Sequence, residues 1–261
     1  MSGAPLRQVV HVMGTVFSFD VRDAETKGRL LDVEDALHEA ADRLHRIDAL
    51  YSTYREDSAV SRLDRGEATP DTCEPEVARV LAACAEAERE TDGWFNLRST
   101  GRLDPSGYVK GWAVTEASRI LQAAGSRRHS ICGGGDVQTS GGPAPGQPWR
   151  IGIAHPLRPG RLAAIVAHEG LAVATSGTAE RGCHIVNPHT GEPATGLASL
   201  TVVGRDLARA DIWATAGFAM GADWLDALEA AEGLEALAVL PDGELRYTSG
   251  FHTYTATAPV G

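Results

Sequence analysis

The chain has 261 residues, enough to bury one large core or two small ones. Its 24 Lys and Arg against 35 Asp and Glu give a net charge of −11, and the longest basic run is Arg127-Arg128, which argues against a nucleic-acid partner. The first residues carry no apolar leader segment or lipobox cysteine, and no stretch nears the ~18 consecutive apolar residues of a membrane span, so the sequence reads as cytoplasmic with no membrane span.

Residues 16–22, VFSFDVR, alternate Phe17, Phe19 and Val21 with polar neighbours and predict a half-buried strand. Just before it, HVMGT (11–15) places Gly14 where a structural bulge or a backbone–ligand contact would sit, and alone the bulge is the simpler reading. Residues 33–51 carry Val33, Leu37, Ala40, Ala41, Leu44, Ile47 and Tyr51 at helical spacing. A second helix is expected from Pro75 to Thr91, with Gly93 beyond its end. DPSGYVKG (104–111) looks like a phosphate loop but is not a P-loop: Lys110 precedes the last glycine, and Trp112 stands where the hydroxyl residue belongs. A helical pattern follows over 111–124. The stretch is therefore expected to feed a helix N-terminus, where backbone amides favour anions and Lys110 adds a cation. Taken alone it is an ordinary loop leading into a helix.

Strands are predicted at 128–132, 149–154, 162–168, 171–175 and 199–204, a helix from Leu207, another over 222–231, and a closing hairpin turning at PDG, 241–243. Residues 141–148, GGPAPGQP, read as a loop between strands. Helices with strands of mixed direction make the fold class α+β, with mixed sheets and packed helices. The four cysteines form no CxxC pair, and buried thiols in a reducing compartment are the simpler reading against a disulfide.

Three further stretches bear chemistry. ICGGGDV (131–137) runs a strand into three glycines and an acid, a turn that suits close ligand approach or a plain hairpin. ATSGTAERGCHIVNPHTGEP (174–193) gathers hydroxyls around His184, which reads as a general base, a ligand contact or a core histidine; the spacing is not that of a zinc site. ADIWATAGFAMG (210–221) sets Asp211 and Thr215 at i and i+4 of a helix with apolar neighbours. A carboxylate beside a hydroxyl suits a hard cation, and an unpaired buried Asp211 would be costly.

Together MGT, STYREDSAVSRL (52–63), DPSGYVKG, GGGD, TSG…HIVNPHTG and ADIWAT resemble, in their order, the ApbE family of FAD:protein FMN transferases. The resemblance runs from about residue 11 to 221 and implies a single domain over residues 1–261 with ApbE-like, T-fold-like architecture. It implies FAD contacts at Met13, Trp94, Phe95, Asn96, Asp104, Lys110 and Ile185, so that Lys110 would reach the dinucleotide's pyrophosphate. It further implies Mg²⁺ held by Asp211, Thr215 and the Gly107 carbonyl, with His184 assisting catalysis. The activity implied is Mg²⁺-dependent transfer of FMN from FAD to a threonine hydroxyl of an acceptor flavoprotein, with release of AMP. The chain departs from the family's pattern at Asn96 and Asn187, where the family has Asp, and in a short segment between Phe95 and Asp104 that implies a more open lid. An FAD pyrophosphatase and a non-catalytic FAD-binding module are the competing readings.

Overall fold

The structure, a computed structural model, describes residues 5–23, 30–178 and 185–256; Cys183 and His184 lie outside the described residues. The chain opens on a hairpin of β1 (Leu6–Val12) and β2 (Thr15–Val21), in unbroken antiparallel register from Leu6↔Val21 to Val12↔Thr15. Met13 and Gly14 both have positive φ, 56° and 66°. That is the geometry of a two-residue turn whose twist matches the strands it joins. Gly14 is thus a turn residue, and the expected bulge is absent from this ladder.

The helix expected at 33–51 is α1 (Leu30–Tyr51), with Val33, Leu37, Ala40, Leu44, Ile47 and Tyr51 buried and Ala41 half-buried at the edge of that face. The short α2 (Ala59–Asp64) was invisible to periodicity because it makes under two turns; Ser58 starts it by accepting the Ser61 amide at 3.0 Å. α3 (Pro75–Glu90) matches expectation, with proline in its first turn.

α4 (Ser106–Ala123) corrects the reading of DPSGYVKG. SGYVKG is already helical, so Lys110 stands more than one turn inside α4 and not at its N-terminus. Gly107 reads from the sequence as a turn residue and Gly111 as the start of the helix, but both are small because other elements press against α4. A Cβ on Gly111 would meet the Leu207 carbonyl oxygen at 2.7 Å and Asp211 Cβ at 2.9 Å. One on Gly107 would meet Phe95 at 3.2 Å and Thr215 Oγ1 at 3.3 Å.

The remaining elements are β3 (His129–Gly133), β4 (Asp136–Ser140), β5 (Trp149–Ala154), β6 (Leu162–His168), β7 (Ala172–Gly177), β8 (Ser199–Gly204), α5 (Leu207–Met220), α6 (Trp224–Ala230), β9 (Glu235–Val239) and β10 (Leu245–Tyr247). Eight strands form one sheet in the order β1-β2-β3-β4-β7-β8-β9-β10, while β5 and β6 pair as a separate ribbon. The class is α+β as expected. Among the described residues every strand pair is antiparallel, a more uniform arrangement than the mixed directions anticipated.

Strand alternation divides the interior in two. Ala172, Ala174, Leu200, Val202, Ala236 and Ala238 belong to the large core that also holds the buried faces of α1, α4 and α5. Their neighbours Val173, Val203 and Leu237 instead pack with Ile153 and Val166 of the ribbon and with Phe251. The sheet is therefore sandwiched between a helical layer and the β5–β6 ribbon. Of the cysteines, Cys84 is buried and burial pushes its thiol up to about 12, whereas Cys73 and Cys132 are only half-buried. Among the described residues no helix is long and apolar enough to cross a membrane.

Candidate functional site

A cavity of about 420 Å³ opens where α4, α5, the ribbon and the ends of β4, β7 and β8 converge. Trp94, Phe95, Asn96 and Asp104 reach it from the loop after α3, Gly107 and Lys110 from α4, Asp211 and Thr215 from α5, and Ile185 from the segment before β8. Residues separated by more than a hundred positions in the chain thus share one wall. Met13 does not line the cavity. It sits half-buried in the β1–β2 turn, two residues from Thr15, whose Oγ1 would be 3.1 Å from a Cβ on the cavity-lining Gly134. His184 lies outside the described residues.

Asp136 is the functional candidate that sequence reasoning passed over. GGGD was read for its glycines; Gly134 and Gly135, with φ of 58° and 91°, make the tight β3–β4 turn, and Asp136 follows at the head of β4. Its side chain is 1% exposed. Asp136 Oδ1 accepts the Thr175 amide at 2.9 Å, and Oδ2 accepts from the Lys110 ammonium. The acid ending a glycine turn was the available signal.

Lys110 Nζ also lies 3.4 Å from Asp211 Oδ1, so one ammonium bridges two buried carboxylates. Asp211 Oδ2 accepts the Gly111 amide at 3.0 Å. In a regular helix that amide points at the Gly107 carbonyl, so Asp211 competes for the donor that would otherwise engage this oxygen. Gly107 faces Thr215 Oγ1 directly. Asp211, Thr215 and Gly107 therefore share one side of the cavity, where a carboxylate and a hydroxyl are oxygen donors of the kind that suits a hard cation. Among the described residues there is no group of three or more His, Cys, Asp and Glu that would hold a metal by side chains alone. Among the described residues the lining carries three carboxylates, Asp104, Asp136 and Asp211, and the ammonium of Lys110. Beside carboxylates such as these, a divalent ion would offset their repulsion of an anionic ligand. The residues present fit such an ion.

The loop carrying Trp94 to Asp104 is short but anchored at several points. Phe95 N donates to Thr91 Oγ1 at 3.0 Å, and Asp104 N to the Leu97 carbonyl at 2.8 Å. Leu103 N and Arg98 Nη1 both donate to Asp64 Oδ1, at 2.8 and 3.0 Å. The Leu103 amide foremost, with Arg98 and Arg102 behind it, holds the Asp64 carboxyl below the usual range. Asp104 Oδ1 takes the Ser106 amide at 2.9 Å and so caps the approach to α4.

Both departures from the family's pattern have local partners. Asn96 Nδ2 donates to Glu88 Oε1 at 2.7 Å while its Oδ1 accepts the Arg98 amide at 2.7 Å. Asn187 Oδ1 accepts the amides of His189 and Thr190 at 2.9 and 3.3 Å, turn-forming work that a carboxylate would also perform. His189 in turn packs edge-on against Trp94, ring centroids 4.5 Å apart, tying that turn to the cavity wall.

The ApbE family model matches residues 13–100 and 97–238. The chain is 30% identical over 162 residues to the FAD:protein FMN transferase of Salmonella typhimurium, covering 58% of this chain and 45% of that relative. It is 32% identical over 181 residues to the FAD:protein FMN transferase of Rhodobacter capsulatus, covering 65% and 34%. The chain thus matches less than half the length of either relative. The ApbE protein of Thermotoga maritima shares the fold at a TM-score of 0.82 with 23% identity, over 97% of this chain and 100% of that chain. The flavin transferase ApbE of Vibrio cholerae does so at 0.82 and 22%, over 96% and 100%.

Proposed function

The chain belongs to the ApbE family, and from that premise we propose that it transfers the FMN moiety of FAD to a threonine hydroxyl of an acceptor flavoprotein and releases AMP. The observation that carries the reading is the convergence on one cavity wall of Lys110, Asp211, Thr215 and the Gly107 backbone. The names of the curated relatives support the reaction class.

Phosphoryl-type transfer needs positioning and charge neutralisation more than covalent participation by the enzyme. Trp94, Phe95 and Ile185 give the cavity apolar walls for the flavin nucleotide, and Asn96 and Asp104 offer polar contacts at its edge. Met13, which does not line the cavity, is kept as an FAD contact on the family resemblance alone. Lys110 binds pyrophosphate oxygens. Asp211, Thr215 and the Gly107 carbonyl would hold Mg²⁺, which supplies neutralisation of charge on the phosphates. The acceptor hydroxyl oxygen bonds to the FMN phosphorus as the bond from that phosphorus to the bridging oxygen breaks, and AMP departs with that oxygen. The hydroxyl proton goes to His184, assigned as base because an imidazole titrates near neutrality and because Ile185, beside it in sequence, lines the cavity. The whole of residues 1–261 is proposed to act as one such unit.

The test is direct. The protein is incubated with FAD, Mg²⁺ and an acceptor domain carrying a target threonine, and the acceptor is weighed by mass spectrometry. An acceptor heavier by FMN less one water, with AMP in solution, is the expected result. An unmodified acceptor with FMN and AMP in solution would replace the reading with an FAD pyrophosphatase. Intact FAD with two different acceptors would replace it with a binding module.

A further inference from the structure

Lys110 is one of only two lysines in the chain, the other being Lys27; every remaining basic side chain that is permanently charged is an arginine. Lysine differs from arginine in presenting a compact, strongly hydrated point charge on a flexible stem, a closer analogue of a small metal cation than a planar guanidinium is. Here that point charge lies between two carboxylates whose side chains are 1% and 5% exposed, Asp136 and Asp211. Neither carboxylate sits idly. Asp136 Oδ1 is fixed by the Thr175 amide and Asp211 Oδ2 by the Gly111 amide, so the second oxygen of each is the one turned to the ammonium. A cation shared by two buried carboxylates makes an arrangement in which removing it, or adding a second cation, shifts the balance strongly.

We propose that Lys110 is a built-in counter-cation that competes with a divalent ion for Asp211, and that Asp136 is the positioning residue that keeps the ammonium when Asp211 is taken. The inference rests on the reading that Asp211 ligates a divalent ion. Without nucleotide the ammonium satisfies Asp211 Oδ1 and opposes the ion by like-charge repulsion. When a dinucleotide is present its phosphate oxygens offer Lys110 a new anion, the ammonium turns from Asp211, and the ion's site gains affinity. Metal and dinucleotide therefore bind with positive coupling, and by linkage each raises the affinity for the other by the same factor. Asp136, anchored on β4 and not on either helix, holds the stem in reach of both positions.

Mn²⁺ binding to the nucleotide-free protein, followed by the electron paramagnetic resonance of the unbound ion, tests this without any turnover. Lys110→Met is expected to bind Mn²⁺ at least about tenfold more tightly than the unsubstituted protein. Because loss of any nearby positive charge favours a cation somewhat, a second readout is needed. With lysine labelled with ¹³C at the ε carbon, the two lysines give two resonances. On addition of Mg²⁺ the Lys110 signal is expected to move in step with ion binding while the Lys27 signal stays. In Asp211→Asn neither the binding nor the shift should occur. If Mn²⁺ binds in an Asp211-dependent way, yet Lys110→Met binds it no tighter or the Lys110 resonance does not respond, the competition is overturned while the metal site stands. If no binding depends on Asp211, the metal reading falls and the competition with it.

Discussion

Asp211 on α5 accepts the backbone amide of Gly111 on α4 at 3.0 Å, and the same glycine has no room for a side chain against α5. The hydrogen bond and the close approach depend on each other. They set how near the two helices stand, and so where Lys110, Gly107, Asp211 and Thr215 lie relative to one another. Gly111→Ala would place a methyl group 2.7 Å from the Leu207 carbonyl oxygen, so the helices must part. Overpacking of this kind costs about 1–3 kcal/mol. A melting temperature lowered by several degrees, with weaker FAD binding in a titration, is the expected outcome. An unchanged melt would mean that the helices separate without strain.

Asn96→Asp would install the aspartate that the family resemblance implies at this position, yet here it is expected to harm the protein. The Asn96 amide donates to Glu88 Oε1 at 2.7 Å, and an aspartate would set a second carboxylate against the first. Loss of the bond plus like-charge repulsion costs about 1–2 kcal/mol at a half-buried site. Thermal unfolding should show the loss at neutral pH, and Glu88→Gln in the same chain should recover most of it. Failure of the second substitution to rescue would show that Glu88 is not the reason for the asparagine.

These two positions show how far the sequence could be read. Amphipathic spacing found α1 and α3 because their buried residues recur at i, i+3 and i+4, and strand alternation found β2. The start of α4 was lost because glycine signals a turn unless a neighbouring helix presses on it, and that neighbour lies about a hundred positions away. Asp211 and Thr215 were legible as a pair because i and i+4 is a local relation. Asp136 was not, because its partners Lys110 and Thr175 come from other elements. Local chemistry was readable from the chain; the juxtaposition of Asp136 with Lys110 needed the fold.

His129 predicts an acid limit to stability. It is fully buried between Ser118, whose Oγ is 2.8 Å from Nε2, and Ser126, whose Oγ is 3.0 Å from Nδ1. Burial lowers its pKa from 6.5 to about 4, with Asp23 opposing slightly. The folded pKa lies below the unfolded one, so the unfolded chain binds more protons in this window. The stability is therefore complete above about pH 6.5 and is lost as pH falls through about 4, up to about 3 kcal/mol. Urea denaturation at pH 7, 5.5 and 4.5 measures the slope, and His129→Asn should flatten it. An equally steep slope in the variant would assign the acid sensitivity to carboxylates instead.

His184→Ala should lower the transfer rate by about 10²–10⁴, the usual contribution of a positioned general base. If the histidine takes the acceptor's proton, part of the loss should return as pH rises, because a more basic medium does some of its work. FAD binding should be little changed. A rate loss that is the same at every pH, accompanied by weaker FAD binding, would make His184 a contact for the nucleotide and not the base.

Asp211→Asn separates charge from shape at the same position. Asparagine fits the space of the carboxylate, and its Oδ1 is able to accept the Gly111 amide as Asp211 Oδ2 does, so the packing of α4 on α5 should survive. What disappears is the negative charge that a hard dication requires of this ligand set, since a hydroxyl and a carbonyl alone bind it weakly. Transfer measured at fixed Mg²⁺ should fall by at least about 10², the scale of losing a principal electrostatic contact to the reacting phosphate. The melting temperature should stay close to that of the unsubstituted protein, which excludes unfolding as the cause. Raising Mg²⁺ should recover little, because a neutral ligand does not regain charge at higher concentration. If the variant turns over normally in chelator-treated buffer, the ion is not held by Asp211, and the oxygen cluster around Gly107 and Thr215 serves the substrate directly.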